Sequence, residues 1–142
     1  MPMQNRRLGE TCEAQRAGEP SSFDLSELAT LYGEAGLRTL LAVALDEFDC
    51  QRLAFDGAFQ HGQWAQAAHA LHRLAGTAAF FVRDERVLEP LSRAERALRL
   101  ADAPLIALTV PEARSELGSL RAAFMGELAR SSGASRDPAS AP

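Results

Sequence analysis

Apolar residues recur along most of the chain every three to four positions, the spacing of one helix face, and this pattern predicts an all-α protein. Long amphipathic helices are predicted over residues 35–60, 63–81, 89–101 and 109–130. His61-Gly62 should end the first of them, and the capping box Thr109-Val110-Pro111-Glu112 should open the last. Four such helices with short connections predict an up-down four-helix bundle.

A short extra helix is predicted before the first long one. Asp24 precedes an apolar-periodic stretch as a helix cap would, and the helix should end near Tyr32-Gly33. The chain therefore divides into a flexible N-terminal arm (1–22), a bundle domain (23–130) and a disordered, small-residue tail (131–142).

Composition narrows the possible functions. The formal net charge of -4 argues against nucleic acid as a partner. Two cysteines, Cys12 and Cys50, are too few for a disulfide framework, and Cys50 is expected to be buried or inert. The N-terminus lacks the apolar core of a signal peptide, and no window approaches the roughly 18 apolar residues of a membrane span. We therefore expect a cytoplasmic, monomeric protein without membrane contact.

The segment 64–81 contains the candidate chemistry. Its core stripe is predicted to be Trp64, Ala67, Leu71, Leu74, Ala78 and Phe81, and His72 projects roughly 130° away from the centre of that stripe. The helical neighbours of His72 are mostly small: Ala65, Ala68, His69, Ala75, Gly76 and Ala79. An exposed imidazole on a low, partly apolar ledge suits docking by another protein. The mid-helix Gly76 costs up to about 1 kcal/mol relative to Ala, which indicates a need for space there.

The run His72-Arg73-Leu74-Ala75-Gly76-Thr77 resembles the His-x-Leu-Lys-Gly-Ser/Ala signature of histidine-containing phosphotransfer (HPt) domains. The resemblance covers residues 23–130 and implies that His72 accepts a phosphoryl group. It also implies that His69, Ala75, Gly76 and Ala79 contact the partner, a receiver domain of a response regulator or hybrid sensor kinase. The receiver would supply Mg²⁺, and this chain, with no cofactor of its own, would be a phosphoryl carrier in a two-component phosphorelay, not an independent enzyme.

Two departures from the family pattern keep alternatives open. Ala75 stands where the family has Lys, and the family's glycine at the end of this helix is missing. A non-phosphorylated HPt-like adaptor, acting by occupancy, is therefore the second hypothesis, and a helical interaction bundle outside phosphorelays is the third. His69 is an alternative acceptor, but that register would put Arg73 at the glycine position. The sequence leaves open the identity of the kinase and regulator, the output, and whether the domain is free-standing or part of a sensor kinase.

Overall fold

The structure, a computed structural model, describes residues 23–135 and the side chains of residues 23–131. It confirms an all-α fold, and no strand occurs within this range; an isolated bridge joins Phe23 and Val82. The helices are α1 (Ser26–Gln60), α2 (Trp64–Ala79), α3 (Glu89–Arg99) and α4 (Ala103–Ser135), with a 3₁₀ turn (Glu85–Leu88) before α3. The predicted arm 1–22 lies outside the described residues.

The first helix is interrupted where the sequence predicts a boundary. Gly33 has φ 74° and ψ 171°, which is not helical, so α1 consists of a short segment and a long one. Glycine adopts this left-handed φ without the steric cost that a Cβ would bring. Asp24 Oδ1 accepts hydrogen bonds from the Ser26 backbone N–H and hydroxyl at 3.3 and 3.0 Å, which fixes the helix entry. The predicted short N-terminal helix is confirmed.

A tight turn at His61-Gly62 connects α1 to α2. Gly62 has φ +67°, and the Gln63 backbone N–H donates to the Ala58 carbonyl at 2.9 Å. The Nδ1 atom of His61 lies 2.8 Å from the Gly57 carbonyl oxygen, so this ring is engaged at the end of α1. The turn is short enough to hold α2 directly against α1.

The last helix starts earlier than the sequence predicts. The capping box at 109–112 is wrong as a start, because α4 begins at Ala103 and contains Pro111 in its interior. Asp102 is the effective cap, since its Oδ1 accepts from the Leu105 N–H at 3.2 Å and its carbonyl accepts from the Ile106 N–H at 2.8 Å. Burial of Ile106 and Val110 in the core offsets the cost of about 3 kcal/mol for an internal proline.

The last helix also continues further than predicted. It extends to Ser135, so residues 131–135 of the predicted disordered tail are helical, and residues 136–142 lie outside the described residues. The end of α4 borders the first turns of α1, where Arg130 and Ser131 line a hollow together with Leu25 and Ala29. At Ser131, which is partly buried there, tertiary contact stabilises helix that propensity alone would not.

Each helix packs on the next one along the chain, and α1 also packs on α4. An aromatic cluster joins α4 to α1 and to the residues just before α1 and just after α2: the Phe124 ring lies 4.8 Å from Phe23, 5.3 Å from Phe81 and 5.4 Å from Phe48. Leu71 and Leu74 of α2 are fully buried, as predicted. Trp64 is only partly buried and packs on Phe59. One consequence for the site is that α2 is held between α1 and α3.

Two expectations from composition are wrong. Cys50 is exposed, because it lies off the buried face of α1. Contrary to the prediction that no window resembles a membrane span, α1 is long and apolar enough to cross a membrane by length and composition alone. Core helices of soluble proteins pass the same test, so this property does not assign α1 to a membrane.

Candidate functional site

His72 lies in the middle of α2 with its side chain in solvent. The helix buries the stripe Ala67, Leu71, Leu74 and Ala78, all at 0% exposure. The imidazole leaves the helix on another side, and 69% of its side chain is exposed. The predicted exposure of His72 is confirmed, and the ring is accessible to a partner.

The imidazole contacts an acidic side chain on the neighbouring helix α3. His72 Nδ1 lies 3.4 Å from Glu95 Oε2, slightly beyond the usual range of a hydrogen bond. The Glu95 side chain is only 19% exposed, so its carboxylate lies low between the helices. Sequence reasoning missed Glu95, because periodicity places a residue on a helix face but does not align one helix against another.

Arg99 shares the same carboxylate oxygen. Its Nε donates a hydrogen bond to Glu95 Oε2 at 3.0 Å, one helical turn along α3, while half of the arginine side chain stays in solvent. His72, Glu95 and Arg99 thus form a connected row in which one oxygen atom contacts both the ring and the guanidinium. We call it the Glu95 row.

The structure distributes the predicted partner-binding residues over different sides of α2. Ala75 is half-buried against the core, and Ala79 is exposed. Gly76 is exposed and borders α1. His69 is exposed as well, but it lines a separate hollow against α1 with Gln51 and Ala54. The side chains of His69 and His72 therefore have different neighbours, α1 for the first and α3 for the second.

Among the residues that the structure describes, no contact requires glycine at position 76. A Cβ added to Gly76 would meet no atom within 4 Å, and its φ lies outside the positive range that favours glycine. The bare backbone therefore leaves open space at the surface, one turn from His72.

An apolar groove lies between α1 and α2 beside Gly76. The groove, about 530 Å³ in volume, is lined by Leu40, Val43, Ala44, Glu47, Arg73, Gly76, Thr77, Phe80 and Phe81. Val43 and Phe80 are 62% and 54% exposed, and they line the same groove, so their apolar side chains form a shared surface. Both positions lie outside the predicted core stripes. A large apolar residue at such a position is the sequence signal that could have identified this surface. We call this surface the Phe80 groove.

Arg73 follows His72 in sequence but belongs to this groove. Its Nη2 donates to Glu47 Oε2 of α1 at 3.1 Å, so the guanidinium is engaged on the side facing α1. On this side of α2, Arg73 is not placed to substitute for the Lys that the HPt pattern has at the position of Ala75. The cation connected to His72 in the described part of the chain is Arg99, through Glu95.

Within residues 23–135, no group of three or more His, Cys, Asp or Glu side chains could hold a metal ion. Comparison of the chain with protein-family models, with curated proteins and with solved structures found no match.

Proposed function

We propose that this chain is a histidine phosphotransfer domain with an up-down four-helix arrangement, relaying a phosphoryl group between receiver domains through phospho-His72. The observation that carries the proposal is the exposed imidazole at the middle of α2, one turn from the bare backbone of Gly76. The resemblance of residues 72–77 to the HPt signature supports phosphoryl transfer as the class of reaction. A receiver partner would place the domain in the cytoplasm. We propose that the domain acts there as a monomer.

The proposed chemistry requires little of this chain beyond an oriented nucleophile. Because Nδ1 is the nitrogen that approaches Glu95, Nε2 is the free nucleophile. Its lone pair forms the N–P bond while the P–O bond to the receiver's aspartate breaks, and that electron pair leaves with the carboxylate. The Nδ1 proton stays on the ring, whose new positive charge Glu95 offsets. Partner-bound Mg²⁺ and positioning would supply the remaining catalysis.

The Phe80 groove supports docking of a partner next to the reacting histidine. Val43 and Phe80 offer exposed apolar area, and removing such area from water favours association with a partner. Gly76 stands between this groove and His72, so a partner seated here would approach the imidazole across bare backbone.

The test is transfer from receiver domains of the source organism, each phosphorylated with acetyl phosphate in the presence of Mg²⁺. We expect at least one receiver to pass its phosphoryl group to this chain, giving a label that is acid-labile and base-stable. A binding titration of each receiver is run in parallel.

A second candidate is a non-phosphorylated adaptor that acts by occupying a receiver or kinase. The groove favours it, because docking there needs no reaction at His72, and the face of α2 around His72 carries alanines in place of a cation. Tight receiver binding with no transferable label would support the adaptor and refute the carrier.

A further inference from the structure

We propose that Arg99 of α3 is the cation that binds the phosphoryl group of His72, and that Glu95 is the positioning residue that orients the ring. The proposal deepens the proposed function, because it names the residues that complete the phospho-acceptor site. It rests on the single oxygen, Glu95 Oε2, that contacts both His72 and Arg99.

The need for such a cation follows from the charges at the site. A phosphoryl group on Nε2 would carry close to two negative charges near the Glu95 carboxylate, which lies 3.4 Å from the ring. That distance is measured to Nδ1, so a group on Nε2 would lie farther from the carboxylate, across the ring, where the two negative charges still repel each other. On α2 itself, the residues one turn before and after His72 are Ala68, His69, Ala75 and Gly76, none of which carries a permanent positive charge.

Arg99 is placed to supply that charge beside Glu95, whereas Arg73, the arginine next to His72 in sequence, is directed to the other side of α2. The guanidinium is joined to Glu95 through Nε, and half of its side chain is exposed, so its remaining donors are free to turn toward a phosphoryl oxygen. Arg73 faces α1, where Glu47 binds it. Arg99 would therefore bridge Glu95 and the phosphoryl group, cancelling their repulsion.

Glu95 has the complementary role before the reaction. Its oxygen accepts only, so the imidazole tautomer with hydrogen on Nδ1 is favoured beside it. That tautomer leaves the Nε2 lone pair available. Glu95 contacts the ring and not the transferred group, so it acts through His72 as a positioning residue.

The experiment uses potassium phosphoramidate, a small phosphoryl donor, on the full chain. His61, His69 and His72 are all exposed, so the reagent has access to each, and the first two serve as internal controls. Site-resolved labelling and hydrolysis rates are measured for the parent, Arg99→Gln, Arg99→Lys and Arg96→Gln. Arg96 is an exposed arginine of the same helix and is the matched control.

Arg99→Gln should slow labelling or speed loss of the label at His72 by roughly tenfold, the effect of one charge-assisted hydrogen bond. Arg99→Lys should restore part of the parent's behaviour at His72, and the rates at His61 and His69 should be the same in all variants. Equal rates at His72 in the parent and Arg99→Gln, or equal changes at all three histidines, would overturn the role of Arg99. This readout uses no receiver. Failure of receiver transfer would refute the proposed function without affecting the result for Arg99.

Ring ¹⁵N spectra test Glu95 without any phosphoryl donor. At a pH where the ring is neutral, the parent should show mainly the Nδ1–H tautomer at His72, and Glu95→Gln should shift the population toward Nε2–H. The His69 ring should give the same spectrum in both proteins. An unchanged His72 tautomer in the folded Glu95→Gln variant would overturn the positioning role.

Discussion

At the scale of single residues, Gly76 is the position where a substitution should affect stability and function in opposite directions. A neighbour that leaves no room for a Cβ would explain a mid-helix glycine, yet a Cβ at Gly76 would meet no atom of another described element within 4 Å. The residue therefore weakens α2 without any compensating contact inside the described chain. A surface kept low for the proposed partner would account for this cost.

Replacing Gly76 should accordingly improve folding and damage transfer. We expect Gly76→Ala and Gly76→Gln to stabilise the fold by about 0.5–1 kcal/mol, because both are better helix formers than glycine. Gly76→Gln should also reduce receiver transfer greatly, since its long side chain would stand one turn from His72, while Gly76→Ala should reduce it less. Thermal unfolding and transfer assays measure the two effects. Full transfer by a well-folded Gly76→Gln protein would show that no partner approaches across this backbone.

At the scale of helices, the outward direction of His72 on α2 was predictable, but the full extent of the buried face was not, because Ala68, expected on the ledge around His72, is fully buried. The surroundings of α2 were not predictable either. The apolar spacing identifies Leu71 and Leu74 as core residues and His72 as exposed, because rotation per residue fixes their relative directions. Glu95 was out of reach, since its contact with His72 depends on how α2 and α3 align. The start of α4 was missed because Asp102 caps the helix about two turns before the local capping box that begins at Thr109. Burial of Val110 in the core then outweighs the cost of the proline that follows it.

The assignment of the α2 faces predicts a large stability difference between two leucines. Leu71 is fully buried, so Leu71→Ala should lower the free energy of unfolding by about 2–5 kcal/mol through lost burial and a cavity. Leu53, 74% exposed on α1, is the matched control, and Leu53→Ala should change stability by less than about 0.5 kcal/mol. Denaturant unfolding compares them. Similar small effects for both would contradict the assigned faces and the outward direction of His72.

At the scale of the whole molecule, an ion pair links the first and last helices. Arg121 of α4 donates two hydrogen bonds to the Asp49 carboxylate of α1, at 2.8 and 3.1 Å. These bonds hold the pKa of Asp49 below its ordinary value of 3.8. A lowered folded-state pKa means that the pair stabilises the fold above the unfolded pKa and that this contribution is lost as pH falls through the folded pKa.

Asp49→Asn should therefore destabilise the protein at neutral pH and have little effect in acid. Both side chains are about 40% exposed, so solvent screening limits the loss to under about 1 kcal/mol. Thermal unfolding of parent and variant at pH 7 and near pH 3 measures the difference, which should shrink toward the lower pH. A difference that grows in acid would contradict the stated direction of the Asp49 pKa.

The most direct test of the central claim is to map the phosphoryl group in three proteins: the parent, His72→Gln and His69→Gln. Each is incubated with the same phosphorylated receiver, and the label is located by mass spectrometry under alkaline conditions. His72→Gln should lose the label entirely, because only this imidazole joins the ledge beside Gly76 to the Glu95 row. His69→Gln should keep most of it. A label retained in His72→Gln and lost in His69→Gln would contradict the account.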